Sequence, residues 1–134
     1  MTQLSTIEGI GAAYTEKLKA AGISSTEKLL EEGGTKKGRK GLAASTEISE
    51  KLILNWVNRA DLSRIKGVSS QYADLLEAAG VDTVPELAQR KPENLQAKMA
   101  EVNAAKNLVR QIPSVKQVED WVGQAKELPR AVSH

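Results

Sequence analysis

Cysteine is absent from the 134 residues, and so is phenylalanine. Without thiols there is no disulfide framework and no Cys-based metal site. Histidine occurs once, at His134, so neither a His-based catalytic triad nor a His metal cluster can form. Aromatics are only 3% of the chain, and the core is therefore expected to consist of Leu, Ile, Val and Ala. No apolar run approaches the roughly twenty residues needed to span a bilayer. Met1 leads straight into the first patterned segment, with no basic or apolar leader. These absences predict a cytoplasmic chain with no membrane association. Alternating stretches are few, so strands are not expected. The formal charge is +2, too small to argue for nucleic acid by itself.

What the chain does contain is a duplication. Leu4 to Ile23 reads LSTIEGIGAAYTEKLKAAGI, and Leu62 to Val81 reads LSRIKGVSSQYADLLEAAGV. The offset is constant, from 4 to 62, from 9 to 67 and from 22 to 80. Identical pairs are Leu4/Leu62, Ser5/Ser63, Ile7/Ile65, Gly9/Gly67, Tyr14/Tyr72, Leu18/Leu76, Ala20/Ala78, Ala21/Ala79 and Gly22/Gly80. A repeat at fixed spacing decides how the rest is read. Each copy has the pattern of a short helix, a glycine turn and a longer helix. Tyr14, Leu18 and Ala21 recur at i, i+4 and i+7, one face of an α-helix. Gly22 and Gly80 stand where a helix ends in the C′ position, with Ile23 and Val81 folding back on the last turn.

Further helices follow each copy. One is predicted near Thr26 to Glu32, with Ser24 or Ser25 as N-cap. Its counterpart runs near Val84 to Arg90, with Thr83 and Glu86 spaced as a capping box and Pro85 in the first turn. The copies then diverge. Gly33 to Gly41 reads GGTKKGRKG, with four cations, and the pattern leaves open whether it is a loop or a helix capped by Thr35. In copy two, Pro92 opens a helix from Glu93 to about Asn107. The repeat resumes at a longer offset, where Ser49 to Ala60 matches Ser114 to Ala125 and Trp56 matches Trp121. Both tryptophans are expected to pack inside, because indole carries a large apolar area. Tyr14 and Tyr72 are expected to be core anchors. The tail, Pro129 to His134, is expected to fray.

The small helix, the Gly-hydrophobic-Gly turn Gly9-Ile10-Gly11 and the helix ending Ala-Ala-Gly-Ile resemble the helix-hairpin-helix motif. Over nearly its whole length the chain is similar to a bacterial family of tandem repeats of this kind, domain-of-unknown-function family 4332. The resemblance implies an all-α fold of two tandem helix-hairpin-helix (SAM-like) repeats packed as one compact body. Repeat 1 would be residues 1–60, including the Trp56 helix. Repeat 2 would be residues 61–128, including the Trp121 helix, and residues 129–134 would form a tail.

In the wider superfamily that hairpin binds the nucleic-acid backbone. A glycine turn lets backbone N–H groups approach a phosphate, and the next helix offers free N–H groups and partial positive charge. By position, the contacts would come from Gly9, Ile10, Gly11 and Ala12, and in copy two from Gly67, Val68, Ser69 and Ser70. Ser69 departs from the pattern, standing where copy one has its second glycine: a serine there can still cap the following helix but narrows the backbone's options. Lys36, Lys37, Arg39 and Lys40 would neutralise phosphates beside the first hairpin. A glycine turn is equally a compact way to join two packed helices, and a basic stretch is equally a solvated surface.

An enzyme is not expected. Gly33 to Gly41 lacks the P-loop spacing, and acids such as Glu31-Glu32 and Glu119-Asp120 read as solvated faces. No cofactor and no metal are expected. Two functions remain: a non-catalytic module that binds DNA or another nucleic acid weakly and without sequence preference, or a protein-interaction module with a protein partner.

Overall fold

The computed structural model describes residues 3–7 and 9–133, and over them the chain is all-α. Met1, Thr2, Glu8 and His134 lie outside the described residues, and with them the expectations placed on Met1 and on the lone imidazole. A 3-10 turn at Leu4–Thr6 precedes α1 (Ala12–Ala20), α2 (Thr26–Gly33), α3 (Lys36–Thr46) and α4 (Glu50–Leu62). There follow α5 (Ser70–Ala78), α6 (Val84–Ala88), α7 (Pro92–Lys106) and α8 (Val115–Glu127). Two compact units divide the chain: Met1–Asp61 with Ala131–His134, and Leu62–Arg130.

The helix starts are local chemistry. A helix leaves its first amides without partners, and a hydroxyl at the N-cap supplies one. Ser25 accepts from the Lys28 amide at 3.1 Å, Thr35 from Gly38 at 3.0 Å and Ser114 from Gln117 at 3.1 Å. Gln117 answers by accepting from the Ser114 amide at 2.9 Å, which completes a capping box.

The duplicated segments repeat bond by bond. Ile7 N donates to Leu4 O at 3.0 Å and Ile65 N to Leu62 O at 3.1 Å. Ile10 N to Ile7 O and Val68 N to Ile65 O are both 3.2 Å. At the far end, Ile23 N donates to Leu18 O and Val81 N to Leu76 O, both at 2.8 Å. Gly22 and Gly80 take φ of 88° and 96° there, so both helices stop in a left-handed turn.

In the first unit, α2 and α1 both pack against α3. The core gathers Ile7, Leu18, Ile23, Leu29, Ile53, Trp56 and Val57. In the second unit, α6 and α7 pack against α8, and α5 against α7. Its core gathers Ile65, Leu75, Leu76, Val81, Leu87, Leu95, Met99, Val118 and Trp121. Both tryptophans are buried, and each meets its tyrosine edge-on or tilted. The ring centroids lie 5.1 Å apart for Tyr14–Trp56 and 5.3 Å for Tyr72–Trp121, within the range of favourable aromatic pairs.

One segment left open by the sequence is decided, and one differs from expectation. The glycine-rich basic stretch is helix from Lys36, despite two internal glycines. The Thr35 cap starts it, and Leu42 and Arg39 bury one of its faces. The tail is docked where fraying is expected. Val132 is buried in the first unit's core, and Ser133 N donates to Gly34 O at 2.8 Å.

Candidate nucleic-acid interface

The first glycine turn is built so that its middle residue faces inward. Ile10 is buried, whereas Gly9, Gly11 and Ala12 are exposed. Gly9 sits at φ 96°, a conformation that costs a side-chain-bearing residue free energy. Gly11 then takes an extended conformation as N-cap of α1 and offers no side chain to the helix. The first helical bond runs from Thr15 N to Gly11 O, at 2.9 Å. The amides of Ala12, Ala13 and Tyr14 therefore have no acceptor within the helix. No acid stands in the first turn of α1. The result is an exposed, uncapped helix N-terminus of the kind that attracts anions. One predicted donor is unsuited to that role: the Ile10 amide is already bonded to Ile7 O.

The second turn is closed. Val68 is buried, its amide is bonded to Ile65 O, and Ser69 accepts from Tyr72 N at 3.3 Å. Gln124, reaching across from α8, grips the main chain one residue before Gly67. Lys66 N donates to Gln124 Oε1 at 2.8 Å, and Gln124 Nε2 donates to Lys66 O at 3.0 Å. Gly67 itself, at φ 98°, faces Trp121. A Cβ placed there would lie 2.9 Å from the indole Nε1, against 3.5 Å for Gly9 and the Nε1 of Trp56. Side-chain groups thus hold the second turn on two sides.

The four predicted cations separate into two kinds. Lys36, Lys37 and Lys40 are exposed on α3. Arg39 is buried, only 4% exposed, and its guanidinium binds main-chain oxygens. Its Nη1 donates to Gly33 O at 2.9 Å and Gly34 O at 3.2 Å, and its Nη2 to Ser133 O at 2.6 Å. Burial pushes its pKa down from the ordinary arginine value, and the nearby Glu50 carboxylate opposes that. Arg39 is thus a structural tie instead of a phosphate ligand. Helical periodicity explains the split, because positions 36, 37 and 40 turn outward while 39 turns toward α2.

The structure also brings in a cation that the sequence pattern does not single out. Lys51, on α4, lines with Lys36, Arg39, Glu50 and Leu54 a cavity of about 370 Å³. Fifteen positions separate Lys36 from Lys51, so no local periodicity could have paired them. Among the described residues, no cluster of three or more acids, histidines or cysteines is arranged to hold a metal ion. None of the described helices is long and apolar enough to cross a membrane.

A family model described as Domain of unknown function (DUF4332) matches residues 8–128, a span that includes both tryptophan helices and nearly all of both duplicated segments. No curated protein matches the chain, and no solved structure does.

Proposed function

The chain belongs to the DUF4332 family, and on that premise we propose that it is a non-catalytic helix-hairpin-helix module that binds the backbone of DNA or another nucleic acid without sequence preference. A cytoplasmic location is part of this reading. One observation carries it: the N-terminus of α1 is exposed, lacks a side-chain cap and has no acid in its first turn. Gly9, Gly11 and Ala12 form the approach, and the Ala12 and Ala13 amides are the phosphate donors. Lys36, Lys37 and Lys40 supply the exposed charge on the same unit.

The second turn has a different part in this reading. Gly67, Val68 and Ser69 hold the second unit's own helices, since Ser69 and Gln124 already occupy the polar groups there.

Fluorescence anisotropy with duplex and single-stranded DNA at low salt tests the proposal. With about three phosphates neutralised, affinity should fall roughly 40-fold between about 50 and 200 mM salt. Absence of binding at tens of micromolar protein would end it. The competing protein-interaction reading calls for an exposed apolar patch of several hundred Å². Among the described residues, the large hydrophobic side chain classed as exposed is Leu52, at 39%. That favours the nucleic-acid reading.

A further inference from the structure

The end of α2 and the start of α3 grip three consecutive residues of the tail, and each is read differently. Ala131 is met through its main chain. A Cβ on Gly34 would collide with Ala131 O, so only glycine at 34 lets the tail come this close. Val132 is read by a pocket, being 1% exposed within the first unit's core. Ser133 is read on both sides of its main chain. Its amide donates to Gly34 O at 2.8 Å, and its carbonyl accepts from Arg39 Nη2 at 2.6 Å. The Ser133 hydroxyl adds a 3.3 Å bond to the same Gly34 oxygen.

A pocket for one side chain, combined with main-chain bonds to the next residue, is how proteins recognise extended peptides. The buried arginine makes the arrangement specific, because its fork joins Gly33 O, Gly34 O and Ser133 O through one planar group. The occupant also comes from far along the chain. The first unit is left after Asp61 and re-entered at Ala131, with all of 62–130 between. Pro129 and Arg130 just before the gripped residues are exposed.

We infer that the α2–α3 junction is a peptide-acceptor site for a Val–Ser segment, filled here by the chain's own tail and open to the same tail of a second copy when that one is displaced. Occupation in trans needs no new chemistry, since the same three residues meet the same groups. Tethering only raises the local concentration of the resident segment.

The test uses the full-length chain carrying Val132→Asp, which vacates the pocket and leaves the acceptor intact. The variant is labelled with ¹⁵N and titrated with a synthetic peptide of residues 126–134, KELPRAVSH. The expected result is a saturable change in the amide resonances of Gly33, Gly34 and Arg39 toward their wild-type positions. The same peptide with aspartate in place of valine should leave them unmoved. If Val132→Asp does not fold, Val132→Ala, which only shrinks the side chain, takes its place. No change up to several millimolar peptide, or equal changes with both peptides, overturns the inference and leaves a contact that exists only through its tether.

Discussion

The indole Nε1 of Trp121 lies 2.9 Å from the point that a Cβ on Gly67 would occupy, whereas Trp56 stands 3.5 Å from the equivalent point on Gly9. The two turns share their positive φ and differ in the space beside it. Gly9→Ala should therefore incur mainly the backbone term, about 1–2 kcal/mol. Gly67→Ala adds an overpacking term of about 1–3 kcal/mol against Trp121. Urea unfolding of both variants checks the order. Equal losses would mean that the indole moves aside freely.

The glycines of α3 should respond in opposite directions. At Gly41 nothing lies within 4 Å of an added Cβ, so Gly41→Ala should stabilise the helix by about 1 kcal/mol. At Gly38 the added atom would meet the Glu32 carbonyl oxygen at 2.0 Å, so Gly38→Ala should destabilise despite alanine's higher helix propensity. Thermal melts of the pair measure the difference. A stabilising Gly38→Ala would show that α2 and α3 approach each other less closely than described.

Nucleic-acid binding should separate the cations of α3. Replacing Lys36, Lys37 or Lys40 by glutamine should each lower the salt slope by about 1, if each neutralises one phosphate. Arg39→Gln should leave the slope unchanged, because its guanidinium is committed to Gly33, Gly34 and Ser133. It should instead cost about 1–3 kcal/mol of stability through carbonyls left unpaired. Anisotropy titrations over several salt concentrations, with a urea melt for each variant, distinguish the two classes.

At the start of α1, stability and binding should move apart. Gly11→Asp places an acceptor and a negative charge on an uncapped N-terminus, which should stabilise the helix by a few tenths to about 1 kcal/mol. The same carboxylate occupies the position proposed for a phosphate and should abolish DNA binding. A stable Gly11→Asp variant that binds like wild type would place the contact elsewhere.

Removing the clamp on the second turn should loosen it locally. Gln124→Ala deletes both bonds to the Lys66 main chain and should cost about 1–2 kcal/mol. Hydrogen exchange at the Lys66 amide should speed up accordingly, while the Ile7 amide of the other unit serves as the reference. An unchanged rate at Lys66 would show that the turn holds without Gln124.

Much of the fold could be read from neighbours in sequence. Serine before an apolar stripe marked the cap at Ser114 and narrowed another to Ser24 or Ser25, of which Ser25 serves, because a cap spans only three residues. The duplicated Ala-Ala-Gly endings announced their left-handed turns for the same reason. The site was legible only in part. The N-terminus of α1 and the departure at Ser69 are local and were visible. The burial of Arg39, the cavity shared by Lys36 and Lys51 and the docking of Val132 depend on segments brought together from far apart. A charged residue in a basic run looks the same whether its face turns to water or to a neighbouring helix. The local sequence of Arg39 contains nothing of Ser133, which lies 94 positions away.

Because Ala131–His134 belong with the N-terminal unit, that unit is assembled out of order during synthesis. Every residue from Leu62 to Arg130 has been translated before Val132 exists to plug the first core. The first core therefore cannot be completed in the order in which its helices are synthesised, and the two units receive their final residues at nearly the same point of the chain.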